Sequence, residues 1–215
     1  MSPEQRKEAS ELLLHKRGIR LNLQLHVIES DDEVTLRSEQ AVMQRMIALW
    51  LVSSAALAKD RSTARAYIAQ YQIECWLSGQ EREFMQAKAV SDDDFARFAC
   101  RQEALYFLAW CGGLLDKLVI PTKPSALKHI GGFFQDLQQS PDALQTVLRL
   151  RRKHGILDWS DLLYRLHWAV RHAHLTGRST PASLNETAVR EWHQAANWIC
   201  QYEEEHDWDK VSTET

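Results

Sequence analysis

The stretch Asp161 to Leu175, DLLYRLHWAVRHAHL, gathers three histidines, two arginines, an aspartate and a tryptophan into about four helical turns. Such groups hold metals, move protons or pair with one another, and helix geometry separates these uses. At 100 degrees per residue, Asp161, Arg165, Trp168 and His172 fall within roughly 60 degrees of one another. Leu162, Leu163, Leu166, Ala169, Val170 and Ala173 form the opposite, apolar arc. His172 and His174 point to nearly opposite sides, and His167 and His174 stand about 10 Å apart along the axis. One metal ion needs ligand nitrogens about 2 Å from a common point, which helical histidines reach at i, i+3 or i, i+4. No two of the nine histidines have that spacing. H-E-x-x-H and any cysteine–histidine zinc pattern are likewise missing, so no metal site is expected. The stripe reads instead as a semi-buried polar seam. Asp161 and Arg165 are i, i+4 in the favourable order, and Trp168 brings apolar area with an indole N–H that needs a partner.

Two carboxylates extend this seam. In CRQEALYFLAWCGG, Glu103 edges the face that carries Tyr106 and Trp110; in REWHQAANWICQY, Glu191 lies beside Ala195, Trp198 and Tyr202. An acid on an aromatic face must be paired, hydrogen-bonded or neutralised. The candidate seam is therefore Glu103, Asp161, Arg165, Trp168, His172 and Glu191. It could do acid–base work on a bound substrate, or arginines such as Arg101 and Arg165 could satisfy the acids and fix helix register. G-x-G-x-x-G, a Walker lysine loop and G-x-S-x-G do not occur, and no cofactor is expected.

Two charge runs complete the chemistry. Arg149 to His154, RLRRKH, is expected to end a helix, where positive charge suits the macrodipole without any nucleic acid. Tyr202 to Asp209, YEEEHDWD, is the reverse case. Glu203, Glu204 and Glu205 at a helix C-terminus would each cost about 0.3–1 kcal/mol. They call for a basic neighbour, either the Arg149–Lys153 cluster or a cationic partner. Five of the eight tryptophans lie from residue 159 onward, and tryptophan is a favoured interface anchor. Glu203, Glu204, Glu205 and Trp208 are thus the candidate partner surface.

Helices must position these groups. The 215-residue chain is long enough for one large core, and its 45% hydrophobic and 26% charged composition, with 8 Gly and 5 Pro, is that of a soluble globular protein. A net charge of −3 supplies no general attraction to nucleic acid or anionic membrane. The N-terminus, MSPEQRKEASELLLHKRG, carries charges where a signal peptide needs an apolar centre. The longest apolar run, Met46 to Ala58, falls short of the roughly 20 residues that span a bilayer and is expected as a buried core helix. Cys75, Cys100, Cys111 and Cys200, with no C-x-x-C pair, suggest reduced, buried thiols in a bacterial-type cytosol. Caps predict helices over 3–17, from Ser30 or Ser38 to about 59, 62–77, a short one after Ser78, 91–112, from Ser140–Pro141 to Gly155, 158–176 and 187–203. Ile120 to Pro124 is a loop, and Gly131–Gly132 should interrupt a weak helix beyond it. IRLNLQLHVI alternates with period two; lacking a partner strand, it is expected as an extended strap at about 19–28. The prediction is an all-α single domain over 1–215, a multi-helix bundle of seven to nine helices.

The segments HVIESDDEVTLRS, LSGQEREF, CRQEALYFLAW, ILDWSDLLYRLHWAV, REWHQAANW and DWDKVSTET, in this order, resemble the bacterial domain-of-unknown-function family numbered 4272 over nearly the whole chain. The resemblance implies a cytosolic bacterial single domain and carries no activity. It also implies an arginine after the glutamate equivalent to Glu191; here that place is Trp192, which helix geometry puts on the apolar face.

The functional expectation is a non-catalytic cytoplasmic protein that binds another protein with a basic surface, as an adaptor or an immunity-type inhibitor would. The alternative is an enzyme or small-molecule binder with a polar pocket between the last helices. A core whose polar residues are all mutually paired favours the first. A solvent-connected pocket with at least two unpaired acids favours the second.

Overall fold

The computed structural model describes residues 1–135 and 140–215, with backbone alone at His129 and Gln135. Its α-helices are α1 (Pro3–Lys16), α2 (Glu39–Ala58), α3 (Ser62–Tyr71), α4 (Gly79–Gln86), α5 (Asp92–Ala99), α6 (Arg101–Cys111), α7 (Gly131–Gln135), α8 (Ala143–Val147), α9 (Lys153–Leu175) and α10 (Glu186–Ile199). Short 3-10 turns join several of them. No strand occurs among the described residues, so the fold is all-α. α7 and α8 are single turns of five residues each.

Most starts follow caps legible in the sequence. Ser2 with Gln5 and Ser78 with Glu81 form reciprocal capping boxes, and Ser38, Ser91 and Asn185 each accept a first-turn N–H. The Ser30 N–H and hydroxyl both donate to the Glu33 carboxylate, one half of a capping box; only a single turn follows, and the long helix starts at Ser38. Gly113, at φ +78°, has the carbonyl oxygen of Arg149 2.8 Å from where a Cβ would stand, so only glycine fits there.

Several ends differ from expectation, each for a local reason. Gln72 adopts a left-handed conformation and stops α3 at Tyr71, well short of residue 77. The helix expected over 91–112 breaks at Cys100: its thiol shares the Ala96 carbonyl with its own N–H, whose bond is stretched to 3.4 Å. Gly131 opens α7 and does not interrupt a helix; the weak helix expected there also runs over 136–139, outside the described residues. No continuous helix joins Ser140 to Gly155. After α8 the chain is extended, because Arg149 and Arg151 donate their N–H groups to Gly112 and Cys111. Of the cations in 149–152, Arg149 does end its own helix, donating to the Gln145 and Leu148 carbonyls at the end of α8 at 3.3 and 2.6 Å. Arg151 caps a different one, donating to the carbonyls of Trp110, Leu115 and Asp116 beyond α6. α10 stops at Ile199, since Gln201 is left-handed, so Glu203–Glu205 lie past the helix and not in its last turn.

The helices pack in a series of neighbours: α1 on α9, α9 on α10, α10 on α6, α6 on α2, and α2 on α5 and α3. α2 is long and apolar enough to cross a membrane by composition, yet most of it is buried inside the protein. Met46, Ile47, Ala48, Leu49 and Val52 are fully enclosed. Residues 19–28 form the strap, without regular structure, and a turn at Asn22–Leu25 interrupts their alternation. Ile19 and Leu25 are buried, whereas Leu23 and Val27 face solvent.

Candidate functional site

The six seam residues divide into separate groups. Asp161 and Arg165 make a buried bidentate pair, Nε to Oδ2 at 2.9 Å and Nη2 to Oδ1 at 2.7 Å. Arg165 also donates to the His26 carbonyl at 3.1 Å and faces Glu11 at 3.6 Å. This pair fastens α9 to α1 and the strap. Glu103 and Glu191 occupy the α6–α10 contact instead. Glu103 accepts from the Ser125 N–H at 2.8 Å, from the Ser125 hydroxyl, and from the Trp192 indole N–H at 3.2 Å. Glu191 accepts from Arg101 and Arg190, both at 3.1 Å. Trp168 stacks on His172 with ring centroids 4.7 Å apart, half-buried on α9. No hydrogen bond or ion pair links these three groups among the described residues. Each acid of the seam is therefore answered locally, Asp161 and Glu191 by arginines and Glu103 by neutral donors, as a buried carboxylate requires.

Sequence spacing missed the closest histidine pair. His167 on α9 and His193 on α10 are buried and face each other, Nδ1 to Nδ1 at 2.9 Å. Two ring nitrogens bond only if one carries the proton and the other does not. The Asn197 amide donates to the Ser212 carbonyl at 2.8 Å and lies 3.3 Å from His193 Nε2. With two N–H groups it donates to both, making Nε2 of His193 an acceptor and Nδ1 the donor to His167. Burial pushes His193 down to about 3, helped by the charge of His167. Burial likewise pushes His167 down to about 4, with Arg171 and Arg190 adding to the effect. Both rings are neutral at physiological pH. Among the described residues no group of three or more histidine, cysteine, aspartate or glutamate side chains is placed to hold a metal ion.

A solvent-connected cleft of about 990 Å³ opens beside this pair. The strap, from Gln24 to Glu29 and Glu33 to Thr35, forms one wall. Tyr164 and Ser160 of α9, His193 and Asn197 of α10, and residues 201–204 line the rest of it. Glu29, Glu33, Glu203, Glu204 and Glu214 all line it; among the described residues no lysine or arginine does. Glu33 is tied to Ser30 and Glu203 shares a hydrogen bond with Tyr202. Glu29, Glu204 and Glu214 have no hydrogen bond or ion pair to their carboxylates among the described residues. The nearby cations are committed elsewhere: Arg6 between Asp31 (2.7 Å) and Asp158 (3.0 Å), and Lys153 on the carbonyls of Asp31 and Val34. The rim carries backbone strain. Gln201, Glu203 and Glu204 all hold positive φ, at 54°, 56° and 55°, where L-residues other than Gly, Asn and Asp are rare.

The partner surface expected from the sequence is thus split as well. Glu203 and Glu204 stand on the cleft rim. Glu205 turns aside, and its carbonyl accepts from Arg37 at 2.6 Å while Arg37 also caps the Trp198 carbonyl at 2.7 Å. The basic neighbour of the acidic run is Arg37, not the Arg149–Lys153 cluster. Trp208, at 3 % exposure, is a core residue packed on Trp198 and cannot anchor a partner as it stands. Trp192, where the family resemblance implies an arginine, packs against Tyr106, Phe107 and Trp159 and donates to Glu103. Of the thiols, Cys111 is buried, Cys100 and Cys200 are partly so, and Cys75 is exposed, which corrects the expectation that all four are enclosed.

Sequence reading also missed the buried ion pair of Arg45 and Glu81. The SGQE cap was a visible signal for Glu81, but its partner lies on another helix. The family model for a domain of unknown function, DUF4272, matches residues 6–211, and the chain belongs to that family. No curated protein and no solved structure matches the chain.

Proposed function

We propose that this family member is a non-catalytic binding protein whose acidic cleft receives a basic segment of another protein, as an adaptor or an immunity-type inhibitor would. One observation carries the reading: a cleft of about 990 Å³ lined by five glutamates and by neither lysine nor arginine. Carboxylates gathered in a concave site focus a negative potential and raise the association rate of a cationic partner. The acids of the seam argue the same way. Asp161 and Glu191 are paired with arginines and Glu103 is hydrogen-bonded by Ser125 and Trp192, and both ring nitrogens of His193, the buried imidazole in the cleft wall, are engaged. That leaves His193 no free nitrogen to act as a general base. A cytoplasmic setting belongs to this proposal, with the four thiols reduced.

The rival reading, a small-molecule binder or enzyme, is favoured by the unpaired Glu29, Glu204 and Glu214 in a pocket of ligand size. Calorimetric titration separates the two. A nona-arginine peptide should bind at low salt, weaken steeply as salt rises, and lose its binding to the triple variant Glu29→Gln, Glu204→Gln, Glu214→Gln at unchanged stability. Failure to bind at low salt, or equal binding to the variant, overturns the proposal. Tighter binding of spermine than of the peptide would favour the small-molecule reading.

A further inference from the structure

The strap presents an unexplained contradiction between its sequence and its structure. IRLNLQLHVI alternates as a half-buried strand does, and it closes on the β-branched pair Val27 and Ile28, yet no strand pairs with it among the described residues. Its backbone is tied down on either side of one gap. The carbonyls of Leu23 and Leu25 accept from Lys7 at 2.8 and 2.7 Å, and that of His26 accepts from Arg165. Further on, Asp31 and Val34 accept from Lys153, and Thr35 from Gln201. Between them, Val27, Ile28 and Glu29 make no backbone hydrogen bond to another described residue, as donor or as acceptor. Those three residues line the acidic cleft. Val27, at 42% exposure, and Glu29 are exposed and Ile28 is half-buried, so the gap borders solvent.

We infer that the partner segment enters the cleft in extended form and pairs its main chain with residues 27–29, completing the two-stranded ladder that this chain cannot complete by itself. An unpaired, β-prone edge is a template for strand addition, in which main-chain bonds give affinity and side chains give specificity. Alternate side chains of an added strand point to opposite faces. A segment with a basic residue at every second position would set its cations toward Glu29, Glu204 and Glu214 on one face. The anchored carbonyls on either side fix the strap before binding, which lowers the ordering cost of the encounter.

This inference rests on the acidic-cleft reading, and one experiment separates their failures. The probe is a nine-residue peptide of alternating arginine and threonine, compared with two forms N-methylated at either the odd or the even positions. Methylation removes N–H donors and leaves charge unchanged. Strand pairing uses one edge of the peptide, so one methylated form should bind about tenfold or more weaker while the other binds nearly as well as the parent. If the parent binds and both methylated forms bind equally, the main-chain ladder is refuted and the acidic cleft stands. If neither the parent nor nona-arginine binds at low salt, the cleft reading and this inference fall together.

Discussion

Glutamates meet opposite fates at two faces of α10. On the α6 side, Glu103 and Glu191 are buried and fully answered by a serine, an indole and two arginines. On the strap side, Glu29, Glu204 and Glu214 surround an open cleft with no cation in its walls. Water solvates the second set at little cost, whereas the first would be intolerable without partners. The difference teaches where function can reside. Acids that hold the fold have no valence left for a ligand, and acids that the fold leaves unanswered are free to meet one. Backbone conformation follows the same division, since the positive φ of Glu203 and Glu204 falls on the open side, where strain often accompanies a binding role.

The comparison is broken most severely by removing half of a closed pair. Arg165→Ala strands Asp161, which is fully buried, and should cost about 3–5 kcal/mol in chemical denaturation. A loss below about 1 kcal/mol would show that the seam is not holding α9 to α1. Trp192→Phe keeps an aromatic ring against Tyr106 and Phe107 but removes the donor to Glu103, so a loss of about 1–3 kcal/mol is expected.

The histidine pair between the two faces predicts a pH dependence. His167 and His193 titrate at about 4 and about 3 in the fold, against an ordinary 6.5. Between about pH 6.5 and 4 the unfolded chain binds more protons, so stability rises with pH and is lost on acidification. The slope should approach about 1.4 kcal/mol per pH unit for each such proton, and His167→Gln should flatten the profile measured by denaturation from pH 7 to 4.

Smaller effects sharpen the open side. Glu204→Gly relieves a left-handed residue and should raise stability by up to about 1 kcal/mol while weakening binding of basic peptides. Loss of stability instead would mean that the Glu204 side chain has a structural partner. The double reversal Glu203→Lys, Glu204→Lys should leave stability within about 0.5 kcal/mol yet abolish nona-arginine binding in calorimetry. Retained binding would show that these two carboxylates do not face the ligand.

Legibility in the sequence followed the distance over which each interaction acts. Capping serines, the αL stop at Gly18 and the i, i+4 pairing of Asp161 with Arg165 are decided within one turn, and they appear where residue types place them. The break at Cys100 and the loss of a helix over 148–152 were not legible. The first depends on a thiol competing for a carbonyl, and the second on backbone bonds to Gly112 and Cys111 far away in the chain. Among candidate site residues, Glu103, Asp161, Arg165 and Glu191 were recognisable as acids or bases on apolar faces that had to be paired. Arg101, named from the sequence as an arginine that could answer these acids, does pair with Glu191, whereas Arg165 pairs with Asp161 and reaches neither Glu103 nor Glu191.

Period, caps and composition by themselves determined the helical class, the burial of α2 and the need of each interior charge for a partner, because these follow from turn geometry and desolvation within a few residues. Tertiary structure alone decided which partner Glu103 and Glu191 each received, which histidines met, and which glutamates were left facing a common cleft. Those outcomes depend on the packing of α1, α6, α9 and α10 about one another, and no local spacing encodes an arrangement that is fixed only when distant helices fill the same core.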